Sequence, residues 1–369
     1  MLKDIRKNKK KKNESSIIGR LRGWFYHGRF IGFDIQSIIM TVLTALTIIT
    51  TVIMGLLLYN RFKMAIKQTA VTNTENMVEN TVEKLDADLL NVRQITNAVN
   101  YNIIQEYDIS SRDFNRQFSL LYEINADKIQ SMALYDDKGN LLTAEPVAVQ
   151  KDAVEPSEQD WYQDAEADIE NIHFSIPHIQ NLFVDGTYRY YWVVSLSRSV
   201  DINDGEQPGS GVLLVDMKYS VIEDTLARIN DASNGIYYYL CSRDGQMIYH
   251  PRGTDMDRGY FKEEYRDAAT YEDGTYELTF NGRTSNVIVN SVAYTGWKVV
   301  GVVPESVQIA SINRFRYYII TTVIILMMML LGVNRIISKK ISRPILKLNE
   351  SVKAYEAGGP TDIYIGGSS

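Results

Sequence analysis

Four histidines, a single cysteine and one dense aromatic run are the residues of this chain whose side chains could do chemistry. His173 and His178 flank Phe174 to Pro177, and a metal pair is the first idea they raise. A separation of five matches neither a helix face nor a strand face, and no cysteine supports it, so structural or solvent-facing roles and no metal are expected. His250-Pro251 reads as a turn, because proline limits further strand pairing. With Cys241 alone, no intrachain disulfide can form. In the run Tyr188-Arg189-Tyr190-Tyr191-Trp192, strand alternation places Tyr188, Tyr190 and Trp192 on one face. Such a face either fills a core or lines a pocket. Tyr190 and Trp192 are therefore carried forward as ligand-binding candidates. No Gly-rich phosphate loop, nucleophile elbow or zinc-protease helix motif is present, so the residues point to binding without catalysis and without a cofactor.

The elements that must position these residues are set out by charge. Ile35 to Leu58 holds 24 residues without a charge. As a helix it is about 36 Å long, against a bilayer core of about 30 Å. A second apolar run, Tyr317 to Val333, reaches span length by extending to Ile337. A cleavable signal peptide is the competing reading of the first run, but the stretch is too long and no small-x-small site follows. Residues 1–30 carry ten Lys/Arg against two acidic residues, and residues 335–369 carry six against three. Between Arg61 and Arg316, 23 basic residues face 39 acidic ones. The positive-inside rule then puts both termini in the cytoplasm and the acidic segment outside, in a cell membrane crossed twice. That excludes a free cytoplasmic enzyme, and the acidic bulk argues against nucleic acid as a partner.

Outside the membrane, Val71, Val78, Leu85, Val92 and Val99 recur every seven residues, with Val82, Leu89 and Ile103 at the offset of four. No Gly or Pro interrupts residues 61–138, so one long helix is predicted. Its stripe suits a second copy of the chain, a sheet of its own domain, or both along its length. Two strand hairpins follow, one turning at Asp136 to Asn140 and one at Ser242 to Gln246. Superposing Gly139 on Gly245 places Leu134 on Leu240 and Leu142 on Ile248, an internal repeat. Gly211 to Val215 and Val299 to Val303 are the matching buried strands. Two tandem α/β units with a boundary at Asn230 to Gly235 are expected.

Three stretches resemble the double Cache sensor module: Asp160-Trp161-Tyr162-Gln163-Asp164-Ala165, Gly211 to Met217, and Ala293 to Pro304. After the second span, Ile341, Ile345, Leu348, Val352 and Tyr355 form a 4-3-4-3 seam around Arg343-Pro344 and stop at Gly358-Gly359-Pro360, which resembles the first helix of a HAMP relay domain. The resemblance implies an α+β fold of two PAS-like Cache units, each an antiparallel sheet with helices. The expected order is a basic tail (1–34), a first span (35–59), a stalk helix (60–105), a membrane-distal unit (106–232), a membrane-proximal unit (233–312), a second span (313–337) and a partial HAMP (338–369).

It further implies a ligand site in the distal unit. Relatives that bind amino acids carry an Arg-x-Trp-Tyr-x-Asp pattern there and a later Asp, in which arginine forks onto the carboxylate while rings and carboxylates hold the ammonium. Here Trp161, Tyr162 and Asp164 match, Asp216 stands for the later Asp, and Gln159 replaces the arginine. An amine or neutral polar ligand is therefore favoured over an anionic one. The plainer alternatives stay open: the Trp-Tyr pair can cap the sheet, and Asp216 can bond a backbone amide. Pro344 is assigned a relay role, kinking or starting a helix inside the membrane. The order of parts is similar to Gram-positive sensor histidine kinases, with chemoreceptors as the alternative and a surface-anchored binding protein as a third reading. A homodimer signalling to a cytoplasmic response regulator is expected. No histidine follows the second span, so these residues are not expected to be an enzyme themselves.

Overall fold

A computed structural model describes residues 35–168, 171–184, 189–203, 208–230 and 235–356. The basic tail, Tyr188, most of the expected boundary between units, and the Gly358-Gly359-Pro360 helix stop lie outside these residues. The chain divides into two bodies, one of residues 64–312 and one of residues 1–63 with 313–369.

In the first body the heptad stripe is spent on the chain's own sheets. Helix α1 (Ile35–Val99) runs directly into a π-turn at Asn100–Ile104. Its Val78, Val82, Leu85, Leu89, Val92 and Val99 are buried in one apolar core with Met132, Leu134, Leu213 and Val215 of the distal unit and Leu240, Val299 and Val303 of the proximal one. Helix α2 (Arg112–Ile124) starts where the Ser111 hydroxyl accepts the Phe114 N–H at 3.1 Å.

The distal unit then lays down β1 (Ile129–Asp136), β2 (Leu141–Glu145), α3 (Asp160–Ala167), β3 (His173–Phe174), β4 (His178–Ile179), β5 (Trp192–Asn203), β6 (Pro208–Lys218) and α4 (Ser220–Ile229). Its antiparallel sheet has the order β2-β1-β6-β5-β3, with β4 also on β5. The proximal unit contains β7 (Tyr237–Cys241), β8 (Met247–Tyr249), a short α5 (Gly253–Asp257), β9 (Gly274–Phe280), β10 (Arg283–Ser291) and β11 (Lys298–Pro304), in the order β8-β7-β11-β10-β9.

The internal repeat reaches atomic detail. Gly139 and Gly245 take φ of +80° and +85°, the left-handed conformation that glycine adopts at least cost. The strand register slips between Leu134 and Tyr135 in the first hairpin, and between Leu240 and Cys241 in the second. Leu134 pairs across to Leu213, and Leu240 pairs to Val299.

The second body holds two helices long and apolar enough to cross a membrane, the first part of α1 and the middle of α6 (Glu305–Glu356). Between them the Asn334 amide donates to the Thr47 hydroxyl at 2.8 Å, and Gly55 leaves only 3.3 Å between a would-be Cβ and Val323. Small residues and interhelical hydrogen bonds are the means by which helices associate in lipid. Helix α6 continues through Pro344. Of the two effects expected from that proline, a helix start is therefore not what it produces, because the turns on either side supply the helix that its missing N–H interrupts.

Candidate ligand-binding site

Strand alternation gives the distal sheet two different faces. Val194, Leu196, Leu213, Val215, Met132 and Leu134 face α1. The residues between them face away, and they are polar where the strands line up. Ser131 pairs with Asp216, and Asp216 pairs with Ser195, so three strands contribute one row across β1, β6 and β5. Ser131 Oγ donates to Asp216 Oδ2 at 2.7 Å and Ser195 Oγ donates to Oδ1 at 2.5 Å. His178, delivered by β4, brings Nε2 to 3.3 Å from Ser195 Oγ, while its Nδ1 lies 3.2 Å from Ser175 Oγ.

Asp216 is almost wholly enclosed, 1% exposed. Burial pushes its carboxyl above the ordinary 3.8; the serine hydroxyls, His178 and Gln180 pull the other way by favouring the charged form. Tyr135 lies four residues beyond Ser131 along β1, its phenol held neutral by burial and by Asp216. The hydroxyls of Tyr135 and Ser197 are buried without a hydrogen-bond partner among the described residues. Buried polar groups ordinarily find partners, so two orphaned hydroxyls near an enclosed carboxyl set this face apart from the apolar face that packs on α1.

Above this face lies α3. Trp161 and Tyr162 are both buried against β1 and β6, with the Trp161 and Tyr135 rings 5.5 Å apart. Tyr162 has a further duty: its hydroxyl donates to the Asp136 carbonyl at 2.7 Å, tying α3 to the first hairpin turn. That is the sheet-capping role left open for it. Asp164 is exposed on α3, whereas Trp161, Tyr162 and Ala165 are buried. Gln159 turns back to the Glu155 carbonyl at 3.4 Å. Tyr190 is 80% exposed ahead of β5, and Trp192 packs on Tyr219, with ring centres 6.3 Å apart. Trp192 shares the parity of Val194 and Leu196, which puts it on the opposite side of the sheet from Asp216.

Of the sequence candidates, then, the structure gathers Trp161, Tyr162 and Asp216 around one sheet face and leaves Asp164, Tyr190 and Trp192 off it. Ser131, Ser195, Ser197, Tyr135 and His178 belong to the same candidate cluster and were not singled out by sequence reasoning. One signal was available: Ser195, Ser197 and Ser199 alternate through an otherwise apolar strand, a small polar stripe of period two. Among the described residues no group of three or more His, Cys, Asp or Glu side chains is placed to hold a metal.

The family profile described as Cache domain, of the double Cache type, matches residues 62–312, more than half of the chain. The chain belongs to the Cache family. A probable methyl-accepting chemotaxis protein of Bacillus thuringiensis is 20% identical to this Cache protein over 301 residues, covering 79% of the chain and 42% of that relative. The methyl-accepting chemotaxis protein TlpB of Bacillus subtilis is 23% identical over 231 residues, covering 62% and 30% respectively. The chain thus spans less than half the length of these curated relatives. Among solved structures, the ligand-binding domain of Mlp24 with asparagine aligns with a TM-score of 0.51 at 14% identity, over 68% of this chain and 98% of that one. The Campylobacter jejuni chemoreceptor Tlp3 sensory domain with isoleucine bound aligns at 0.50 and 12% identity, over 67% and 97%. These relatives are chemotaxis receptors, and the kinase resemblance of the Cache–HAMP order finds no counterpart among them. The Cache fold is what this chain shares with the solved domains, and in this chain it is flanked by two apolar helices.

Proposed function

We propose that this Cache protein is the sensory part of a two-span chemotaxis-type receptor whose distal unit binds a small molecule through a protonated amine. The row Ser131, Asp216 and Ser195, with the unpartnered Tyr135 and Ser197 hydroxyls beside it, carries this reading. A buried carboxyl is costly to ionise alone, and an ammonium brought onto it supplies the missing charge while Trp161 and Tyr135 offer ring faces. The chain carries Gln159 in place of the arginine of the Arg-x-Trp-Tyr-x-Asp pattern, which favours amines over free amino acids. Amino acids, the class bound by the Mlp24 and Tlp3 domains, form the natural comparison set.

The termini lie in the cytoplasm by the positive-inside pattern, and the sensor lies outside. Ile341, Ile345, Leu348 and Val352 are exposed along one seam of α6, an arrangement that suits pairing with the same helix of a second copy. Output to a chemotaxis signalling domain is favoured over a histidine kinase by the kind of relative found. Ligand binding biases one of two packings of the sensor, and α6, starting directly after β11, passes the change inward.

The test is isothermal titration of the full chain in lipid nanodiscs with primary amines, amino acids and sugars. Amines are expected to bind and to lose about 100-fold in affinity on Asp216→Asn. Unchanged amine binding in that variant would sink the assignment.

A further inference from the structure

A second polar cleft lies where the long helix passes from one sheet unit to the other. Arg93, Asn97 and Tyr101 recur at intervals of four and so share a stripe of the helix and its π-turn. Together with Asn171, Arg198 and Tyr294 they line a cavity of about 270 Å³. The stripe therefore meets the distal sheet through Arg198 and the proximal unit through Tyr294.

Arg198 is the odd residue of its strand. It occupies the α1-facing side of β5 between Leu196 and Val200, both buried in the apolar core, and is itself 9% exposed. Its Nη1 donates to Asn97 Oδ1 at 2.8 Å, and its guanidinium lies 5.6 Å from the centre of the Tyr101 ring. Its Nε is buried with no acceptor. Arg93 stands over Tyr294 at the same 5.6 Å. Among the described residues neither arginine forms an ion pair with a carboxylate. A buried guanidinium normally brings its own counter-charge, because an uncompensated one is expensive to hold. The helix also widens into its π-turn at this point, and π-turns collect at functional sites.

We infer that this cleft is a binding site for a small oxyanion, with Arg198 and Arg93 supplying the positive charge. The planar fork of a guanidinium matches two oxygens of a phosphate or a carboxylate, and the idle Nε–H of Arg198 is a donor waiting for one of them. The bound ion would touch α1, the distal sheet and the proximal unit at once, and so would fasten the two Cache units to the helix they share. This site is separate from the Asp216 row, which lies on the other face of the sheet, and its charge preference is opposite. The acidic surroundings of the outer domain make the two arginines the local exception, and binding should weaken as salt screens them.

The experiment uses the full chain in nanodiscs of zwitterionic lipid. Melting curves and titration calorimetry are run with sodium phosphate or sodium acetate replacing sodium chloride at constant ionic strength. A saturable rise in melting temperature is expected with at least one of the two, and which one responds separates a phosphate-type from a carboxylate-type ligand. Arg93 is exposed, so Arg93→Gln keeps the fold and should weaken binding by about tenfold or more. Arg198→Lys keeps the charge but loses the fork, and should weaken it as well. Amine binding at Asp216, measured on the same samples, should stay unchanged and reports that the distal unit is intact. A response to neither anion beyond the chloride control overturns the inference, and so does saturable binding that survives both substitutions undiminished.

Discussion

The two Cache units are copies of one plan, and their outward sheet faces have opposite contents. In the distal unit the row across three strands reads Ser131, Asp216 and Ser195. The corresponding row of the proximal unit reads Tyr237, Val302 and Val287. One row on, Ala133, Leu214 and Ser197 correspond to Tyr239, Val300 and Val289. In the proximal unit Tyr239, Val287, Val289, Val300 and Val302 close into a core with Tyr265, Ala268 and Ala269, and a cavity of about 930 Å³ lined by Tyr237, His250, Tyr265 and Ser285 lies beside it. In the distal unit, small hydroxyl-bearing residues occupy part of the matching face and leave polar atoms without partners. The same backbone thus carries a polar row in one copy and an apolar row in the other.

The proximal unit does bury charge-capable groups, but pairs them. His250 Nε2 lies 2.9 Å from Glu263 Oε2, and Tyr237 OH and the Tyr265 N–H both donate to Glu263 Oε1 at 3.0 Å. His250 Nδ1 accepts the Arg252 N–H at 3.0 Å, so the proton on the ring belongs to Nε2. Every polar atom of that pair is satisfied within the chain, unlike the row around Asp216. The turn expected at His250-Pro251 is present, with the Gly253 N–H donating to the His250 carbonyl, yet the buried pairing of the side chain was not foreseeable from the turn.

The contrast can be broken most severely by writing the distal residue into the proximal sheet. Val302→Asp puts a carboxyl among Val287, Val300 and Tyr239 with no serine row to receive it, and should cost about 3–5 kcal/mol in urea denaturation of the full chain. Next comes Gly301→Ala. A Cβ there would stand 2.7 Å from Thr74 Cγ2 and 2.9 Å from Val78 Cγ2, so the proximal sheet must move off α1 at a cost of about 1–3 kcal/mol. Val215, at the matching place of the distal sheet, already carries a side chain, which makes this close approach a property of one unit only.

The reverse exchange, Asp216→Val, should abolish amine binding and cost about 1–3 kcal/mol of stability, because the Ser131 and Ser195 hydroxyls lose their acceptor while the burial cost of the carboxyl is removed. Asp216 also sets a pH dependence. Its carboxyl is raised in the folded chain, so the native state holds that proton more tightly than the unfolded state does. Its contribution to stability is therefore complete below the ordinary value of 3.8 and is lost as pH rises through the folded-state value. Denaturation midpoints of the empty domain should show this downward slope, and Asp216→Asn should flatten it. Amine affinity should rise across the same window, with release of a proton. The smallest effect concerns Cys241, which corresponds to Tyr135 in the repeat. Burial pushes its thiol up to about 12, so alkylation of the native chain at neutral pH should be slow and should become fast only on unfolding.

Much of the architecture was legible before any coordinates. The seven-residue stripe from Val78 to Val99, the two glycine turns and the apolar strands Gly211–Val215 and Val299–Val303 all depend on patterns within a dozen residues, and these survive into the fold. The site was legible only in part. Trp161 and Tyr162 were singled out through a local motif and Asp216 through its place at a strand end, and the fold brings these three to one sheet face. Asp164 and Trp192 were misdirected for one reason: sequence proximity to the motif or the aromatic run does not say which face of a helix or sheet a side chain takes. Arg198 was passed over because a lone arginine in a strand reads as solvent-facing until its neighbours are known.

The amino-acid sequence alone determined the two apolar spans, the charge asymmetry around them and the duplication of the sheet unit. Those features follow from hydropathy, net charge and local periodicity, which act along the chain. What only the tertiary structure decided is that one copy assembles a polar row across three strands where the other assembles an apolar one. Ser131, Asp216 and Ser195 are separated by 85 and 21 positions, and become one row only when strand register and sheet order bring β1, β6 and β5 side by side. Register is set by packing against the long helix, a collective property of both units that no single segment encodes.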